Sequence, residues 1–218
     1  METPAPKPRP DADIEALETR ALGGDQAALA DAFMHYRPKL RGMVSLRLDP
    51  RLRGRLNASD VLQESFIELT EQLPEFSKKP NLPVYLWMRL VTSRRLAQLH
   101  RKYLDTAKRN AALEVSIQHG GAPEASGFDL ASKLLGNWTS VSQKAMVAEA
   151  RAKLQDVINT MDSMDREILA LRDFEELSNK EVAIVLGIES SAASKRHIAA
   201  LQRLATAVRE IPGFVSES

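Results

Sequence analysis

Apolar side chains recur along most of this chain at the three- and four-residue spacing of amphipathic helices. In the first half the pattern predicts a helix over residues 11–22, two helical segments between residues 25 and 48, and helices over 59–73 and about 84–103. It returns near residue 142 and continues through residue 204. No segment alternates with the period of two that a half-buried strand would show, so the predicted fold class is all-α.

Two interruptions of this pattern indicate how the chain is divided. Residues 1–10 contain four prolines and no periodicity, which is typical of a disordered tail. Residues 105–146 are broken by Gly120, Gly121, Pro123 and Gly127 and read as a flexible linker. We therefore expect two small helical domains, over residues 11–104 and 147–212, joined by that linker.

The most specific local pattern lies near the C-terminus and predicts a helix-turn-helix. Ser178 and Glu181 have the spacing of a capping box, and Gly187 stands where the first helix would end in a left-handed conformation. The following helix would expose Ser194, Lys195 and Arg196. In a helix-turn-helix such a second helix enters the major groove of DNA. The alternative is an ordinary helical hairpin with a charged outer face.

Composition excludes several classes of site. The 218 residues include no cysteine, which excludes a disulfide framework, a thiolate zinc site and a thiol nucleophile. The four histidines are scattered and have no metal-ligand spacing. The sequence also lacks a glycine-rich phosphate loop and a serine nucleophile elbow. We expect neither an enzyme nor a bound cofactor or metal.

The distribution of charge favours nucleic acid as a partner. The formal net charge is only +1, but residues 37–55 and 89–109 are strongly basic. No apolar run approaches the length of a membrane span, and the N-terminus lacks the apolar region of a signal peptide. We therefore expect a cytoplasmic protein with no membrane contact of its own.

Three motifs in order resemble a known family. They are Asp60-Val-Leu-Gln-Glu-Ser-Phe66, Trp87 within a basic amphipathic helix that ends in His100-Arg-Lys102, and the Leu-Ser-Asn-Lys-Glu-Val-Ala start of the helix-turn-helix. Together they resemble the sigma-70 family of RNA polymerase sigma factors, of the small extracytoplasmic-function (ECF, group IV) type. The resemblance covers about residues 14–104 and 147–208. It implies a sigma-2-like first domain and a sigma-4-like second domain.

The resemblance implies that the helix over residues 59–73 docks onto the coiled-coil clamp of the largest polymerase subunit. Asp60, Gln63, Glu64 and Ile67 lie at i, i+3, i+4 and i+7, which places them on one helix face. A polar face with one apolar anchor suits a reversible protein interface. The alternative is a solvated face without a partner.

The loop after this helix and the helix that follows would bind the melted −10 promoter element. The candidate residues are Lys78, Lys79, Asn81, Arg94, Arg95, Gln98, Arg101 and Lys102. Amides can contact base edges, whereas cations suit phosphates. Trp87 is either a stacking platform for a base or a core residue. Arg94 and Gln98 stand where the family commonly has Asn and Asp, which bears on −10 preference.

The second helix of the helix-turn-helix would read the −35 element. The candidate contacts are Ser191, Ser194, Lys195, Arg196, Ile198 and Ala199. Ile198 could contact a thymine methyl group and Arg196 a phosphate, whereas His197 is expected to be packed or half-buried. The family usually carries basic residues at the positions of Ser194 and Ala199. With fewer hydrogen-bonding groups, DNA shape would carry more of the recognition.

The function implied by the resemblance is a sigma factor that binds core RNA polymerase and directs initiation at promoters with −35 and −10 elements. The expected partners are core polymerase and promoter DNA, and the family's anti-sigma factors are candidate inhibitors. The alternative is a helix-turn-helix regulator that is not a polymerase subunit. Such a regulator would not need the docking helix, the basic loop or the long linker.

Overall fold

The computed structural model describes residues 10–105, 123, 125, 130–132 and 144–209. Every regular element within these ranges is helical, as the spacing of apolar residues predicts. The predicted tail lies outside the described residues except for Pro10, which begins the first helix, and so does most of the predicted linker. We refer to residues 10–105 as the N-terminal half and to residues 144–209 as the C-terminal half.

The N-terminal half consists of four helices. They are α1 (Pro10–Leu22), α2 (Gln26–Arg47), α3 (Ala58–Lys78) and α4 (Val84–Asp105), with a short 3-10 turn (Pro50–Leu52) between α2 and α3. Asp25 caps α2, because its carboxylate accepts hydrogen bonds from the backbone N–H groups of Ala27 and Ala28. Asn57 and Asp60 form a capping box at the start of α3.

Two prolines lie inside helices that the sequence predicted to break or end there. Pro38 lies inside α2, which is one continuous helix rather than two segments. Pro74 lies inside α3, so residues 74–78 are helical and the predicted loop shortens to the segment after Lys78. A proline inside a helix costs about 3 kcal/mol. In both helices buried residues continue on either side of the proline, among them Phe33, Leu40 and Phe76, and their packing offsets that cost.

The C-terminal half contains four further helices. They are α5 (Lys144–Thr160), α6 (Ser163–Leu169), α7 (Asn179–Leu186) and α8 (Ser190–Arg209), and a π-helical turn (Ala170–Phe174) continues α6. Helix α8 packs against α5, α6 and α7. Its buried face consists of Ala193, Ala200 and Leu204. This packing leaves the opposite face of α8 open to solvent.

The two halves pack against each other. Ile168, Leu171 and Leu177 from the C-terminal half join the apolar core of the N-terminal half. In the other direction, Leu46 of α2 joins the core of the C-terminal half. Leu130 and Ala131, from the predicted linker, are fully buried in that second core. The described part of the linker is therefore packed against folded structure at these residues.

Within the ranges that the structure describes, no helix combines the length and the apolar character that crossing a bilayer would require.

Candidate nucleic-acid interface

The helix-turn-helix has the local geometry that its sequence predicts. The Ser178 side chain accepts a hydrogen bond from the Glu181 backbone N–H at 3.3 Å, and the Ser178 N–H donates to the Glu181 carboxylate at 2.8 Å. Gly187 ends α7 in the left-handed region with φ 64° and ψ 35°. Its backbone N–H donates to the Ala183 carbonyl. This turn sets the direction in which α8 leaves α7.

One stripe of α8 faces solvent and coincides with the predicted DNA-reading face. Ser191, Ser194, Lys195 and Ile198 lie at i, i+3, i+4 and i+7. Ser191 and Lys195 are exposed, Ser194 is half-buried, and Ile198 keeps 53% of its surface accessible. Ala199, beside this stripe, is half-buried. The stripe presents hydroxyls, one ammonium group and an apolar side chain, which are groups that can contact base edges and thymine methyls.

Arg196 is held by an aspartate from another helix. Its Nη1 lies 3.0 Å from the Asp165 carboxylate of α6 and 3.6 Å from the Asp162 carboxylate. Asp165 is buried and also binds Arg203, one helical heptad further along α8. About half of the Arg196 side chain remains exposed, so it can still meet a phosphate from the edge of the stripe. Asp165 is not among the residues predicted from the sequence, since nothing local indicates that it would lie beside α8.

His197 is packed, as the sequence analysis expected. Its Nε2 lies 2.9 Å from the Asp173 carboxylate in the π-helical turn, and only 15% of its side chain is exposed. His197 therefore anchors α8 to the preceding turn. Lys195 differs from both neighbours, because it forms no ion pair with any described residue.

The predicted −10 residues form an exposed basic surface in the N-terminal half. Arg94, Gln98 and Arg101 lie at i, i+4 and i+7 on one face of α4, and all three are exposed. Lys102 is exposed on the same helix, and its ammonium group lies 5.5 Å from the centre of the Tyr103 ring. Lys79 and Asn81 are exposed in the connection before α4, whereas Lys78 is in the last turn of α3 and pairs with Glu75 at 3.1 Å.

Trp87 is a core residue. It is only 5% exposed and stacks on Phe76 with ring centres 4.0 Å apart and planes 7° from parallel. Phe76 lies in α3, so this stack fixes the end of α3 against the first turn of α4. The ring is therefore unavailable as a platform for a base.

The predicted docking face of α3 is partly occupied by internal contacts. The Asp60 carboxylate accepts a hydrogen bond from the Asn57 N–H in the capping box. Glu64, 37% exposed, pairs with Arg95 of α4 at 2.6 Å, and Arg95 also donates to the Gln98 side chain at 3.0 Å. Gln63 is exposed, and Ile67 keeps 59% of its surface accessible. Ile67 and Gln63 are thus the most available groups on this face.

A histidine near the basic surface has a perturbed pKa. His100 is 5% exposed, and its Nε2 accepts a hydrogen bond from the Asp49 backbone N–H at 3.3 Å. Burial lowers the pKa of His100, and the charge of Asp49 offsets this only in part. The neutral ring therefore joins the start of the 3-10 turn to α4. Elsewhere in the described ranges, no group of three His, Asp or Glu side chains has the arrangement of a metal site.

Comparisons with known proteins agree with this geometry. The family profile described as "Sigma-70, region 4" matches residues 151–204, which contain the helix-turn-helix. The ECF RNA polymerase sigma factor SigD of Mycobacterium tuberculosis is 25% identical over 191 residues, covering 88% of this chain and 82% of SigD. The sigma factor SigK of the same species is 24% identical over 198 residues, covering 90% of this chain and 94% of SigK.

A solved structure shares the fold. The structure of CnrH in complex with the cytosolic domain of CnrY superimposes with a TM-score of 0.51 at 17% identity, over 89% of this chain and 96% of that one. At this identity the likeness concerns the fold alone. The sequence matches extend over both halves. Residues 151–204 match sigma-70 region 4, and the chain as a whole is similar to ECF sigma factors of the sigma-70 family.

Proposed function

We propose that the protein binds core RNA polymerase and directs it to promoters by recognising −35 and −10 elements. The observation that supports this most is the exposed stripe of α8, within the segment similar to sigma-70 region 4. In this proposal Ser191, Ser194, Lys195, Ile198 and Ala199 contact the edges of −35 bases. Arg196, held in place by Asp165, binds a phosphate.

The −10 element would be bound by the basic surface of the N-terminal half. Melting a duplex costs unpairing and unstacking, so the protein must hold the bases that leave the helix. Lys78, Lys79 and Asn81 would meet the separated strand at the start of α4, while Arg94, Arg95, Gln98, Arg101 and Lys102 would bind along that helix. Val84 and Arg94 are about 15 Å apart along the axis of α4, which allows the surface to contact several nucleotides.

Core polymerase would dock on the exposed face of α3. Ile67 supplies an apolar anchor, and the polar groups of Asp60, Gln63 and Glu64 surround it. Small anchors of this kind can account for a large share of the energy of a protein interface. The presence of the cytosolic domain of CnrY on CnrH supports a protein inhibitor, an anti-sigma factor, as a further partner.

The second candidate function is a helix-turn-helix regulator that acts without being a polymerase subunit. It would use the α8 stripe in the same way but would leave the α3 face without a partner. Binding to core polymerase in the absence of DNA therefore distinguishes the two functions.

Purified protein should coelute with core polymerase, and Ile67→Ala should weaken that binding about tenfold or more. Because Ile67 is exposed, its truncation should not unfold the chain. Ile184→Ala is the matched control, since Ile184 is also an exposed isoleucine, 48% accessible, in the other half of the molecule. Gln63→Lys should also weaken binding to core polymerase.

Two outcomes would contradict the proposal. Failure of the wild-type protein to bind core polymerase would favour the independent regulator. Unchanged binding of a folded Gln63→Lys, Ile67→Ala double variant would remove the α3 face from the docking surface. Charge reversal at Glu64 is a weaker test, because it also breaks the ion pair with Arg95.

A further inference from the structure

A buried carboxylate joins two arginines of α8. Asp165 lies in the first turn of α6, and its side chain is only 5% exposed. Arg196 Nη1 donates to Asp165 Oδ1 at 3.0 Å, and Arg203 Nη1 donates to Asp165 Oδ2. Each oxygen of the carboxylate therefore accepts from one guanidinium. We call these three residues the Asp165 triad.

The two arginines of the triad lie on the same flank of α8. They are seven residues apart, which is two helical turns or about 10.5 Å along the helix axis. On one side of this flank lies Ala200, which is fully buried, and on the other side lies the exposed Lys195. The flank thus borders the stripe that the proposed function assigns to −35 bases. Cations at the edge of a major-groove helix are placed for phosphates rather than for base edges.

Both guanidiniums keep surface for a second partner. The Arg196 side chain is 48% exposed, and the Arg203 side chain is 55% exposed. A guanidinium has five N–H donors in a planar fork, and each arginine reaches Asp165 through Nη1. The remaining donors can bind a phosphate, while the buried carboxylate stays out of contact with the DNA.

Asp165 has two opposing effects on the binding of a phosphate. Its negative charge repels the phosphate and offsets one of the two positive charges. Its hydrogen bonds hold two long side chains in place, so that less conformational entropy is lost when the phosphate binds. The repulsion acts across an exposed surface, where water and salt screen it. Screening does not reduce the ordering of the side chains, so the second effect should prevail.

We propose that Asp165 is a positioning residue for the binding of −35 DNA, and that Arg203, like Arg196, binds a phosphate of the DNA backbone. An acidic side chain thereby raises the affinity of the protein for a polyanion. The contact with −35 DNA rests on the proposed function. The sign of the effect of Asp165 is measurable on any duplex that the chain binds, with or without core polymerase.

The probe is a labelled duplex that the full-length wild-type chain enriches from random-sequence DNA, in parallel selections with and without core polymerase. Binding is titrated at several salt concentrations. Asp165→Asn keeps the shape of the side chain but removes its charge and one acceptor oxygen, so we expect about three- to tenfold weaker binding. Mere repulsion by Asp165 would instead make the same variant bind more tightly.

Asp162→Asn is the matched control. Asp162 lies 3.6 Å from Arg196, and its side chain is 61% exposed. It caps α6, and asparagine caps a helix as well as aspartate does. The substitution removes the same charge from the same neighbourhood without touching the hydrogen bonds of Asp165, so it should not weaken DNA binding.

The arginine variants test whether Asp165 acts through its two partners. Arg203→Ala should weaken binding to all sequences and reduce the slope of the salt dependence by about 1. In an Arg196→Ala, Arg203→Ala background, Asp165→Asn should no longer weaken binding, because no side chain is left to position. A merely structural role of Asp165 would lower the affinity by the same factor in both backgrounds. Far-UV circular dichroism and urea denaturation establish that each variant is folded.

Wild-type or tighter DNA binding by folded Asp165→Asn would overturn the positioning role and leave the sigma-factor function standing. The same holds for Asp165→Ser, a smaller uncharged variant to be used if Asp165→Asn does not fold. Unchanged affinity and salt dependence in Arg203→Ala would overturn its phosphate contact. Enrichment of DNA by the chain alone, without coelution with core polymerase, would overturn the sigma-factor function, and weaker binding by Asp165→Asn would then still support the triad. Failure of both selections to enrich DNA would overturn both proposals.

Discussion

Substituting Gly187 by alanine should destabilise the helix-turn-helix through the backbone alone. Gly187 has φ 64°, and a Cβ built there meets no heavy atom within 4 Å, so no steric clash adds to the cost. A non-glycine residue in the left-handed region costs about 1–2 kcal/mol. For a chain of this size each kcal/mol shifts the melting temperature by about 2–4 °C, so we expect a decrease of about 2–8 °C.

Gly42 provides the matched comparison for this prediction. It lies inside α2, and a Cβ there also meets no heavy atom within 4 Å. Alanine in a helix interior is more stable than glycine by about 0.5–1 kcal/mol, so Gly42→Ala should raise the melting temperature by about 1–4 °C. The same Gly→Ala substitution should thus lower stability at position 187 and raise it at position 42. Thermal and urea denaturation, followed by circular dichroism, measure both changes.

A third substitution separates backbone strain from loss of flexibility. Asparagine tolerates the left-handed region better than alanine, so Gly187→Asn should lose less stability than Gly187→Ala. Equal losses for both variants, or a shift of the same sign for Gly42→Ala and Gly187→Ala, would refute the reasoning. In the first case the cost would come from something other than the conformation of residue 187.

Three further predictions concern the core, DNA binding and pH. Trp87→Ala should lower the free energy of unfolding by about 3–5 kcal/mol, because it removes the ring stacked on Phe76. Met34→Ala, at a residue that is 62% exposed, should change it by no more than about 0.5 kcal/mol, and equal effects in urea denaturation would contradict the assignment of Trp87 to the core. Lys195→Ala should reduce the discrimination between bases at one −35 position by about 1–3 kcal/mol, while Arg196→Ala should weaken binding to all DNA sequences and reduce the salt dependence of that binding. The reverse pattern, in binding titrations with mutated DNA sites, would exchange the roles of the two residues. Because the pKa of His100 is lowered in the folded protein, its neutral ring contributes stability above about pH 6.5, and this contribution is lost as the pH falls through the lowered pKa. Urea denaturation across this pH range should show the loss, and His100→Gln should remove this pH dependence.

The elements that could be predicted from sequence are those whose signals are local. The capping box of Ser178 and Glu181 and the left-handed Gly187 depend on neighbouring residues, and the structure contains both. The continuation of α3 through Pro74 was not predicted, because it depends on Phe76 packing against Trp87 of another helix. The local sequence indicates only that a proline destabilises a helix, whereas packing against other helices determines whether that destabilisation is offset.

The candidate site shows the same division. Ser191, Ser194, Lys195 and Ile198 were candidate −35 contacts, and helix periodicity accounts for their position on one face of α8. The ion pairs of Arg196 with Asp165 and of Arg47 with Glu167 join residues from separate helices, and no local pattern indicates such pairs. The roles assigned to the stripe, the basic surface of α4 and the α3 face remain predictions, as do the domain boundaries.

The chain of contacts from Glu64 through Arg95 to Gln98 has a thermodynamic consequence. Glu64 lies on the face assigned to a protein partner, and Gln98 on the face assigned to DNA, with Arg95 bonded to both. A partner that takes over the Glu64 carboxylate releases the Nε and Nη2 groups of Arg95 for another ligand. Linkage is reciprocal, so DNA that engages Arg95 must free Glu64 for the partner by the same free energy. Two neighbouring surfaces that share one guanidinium would then bind their ligands cooperatively, without any movement of the backbone.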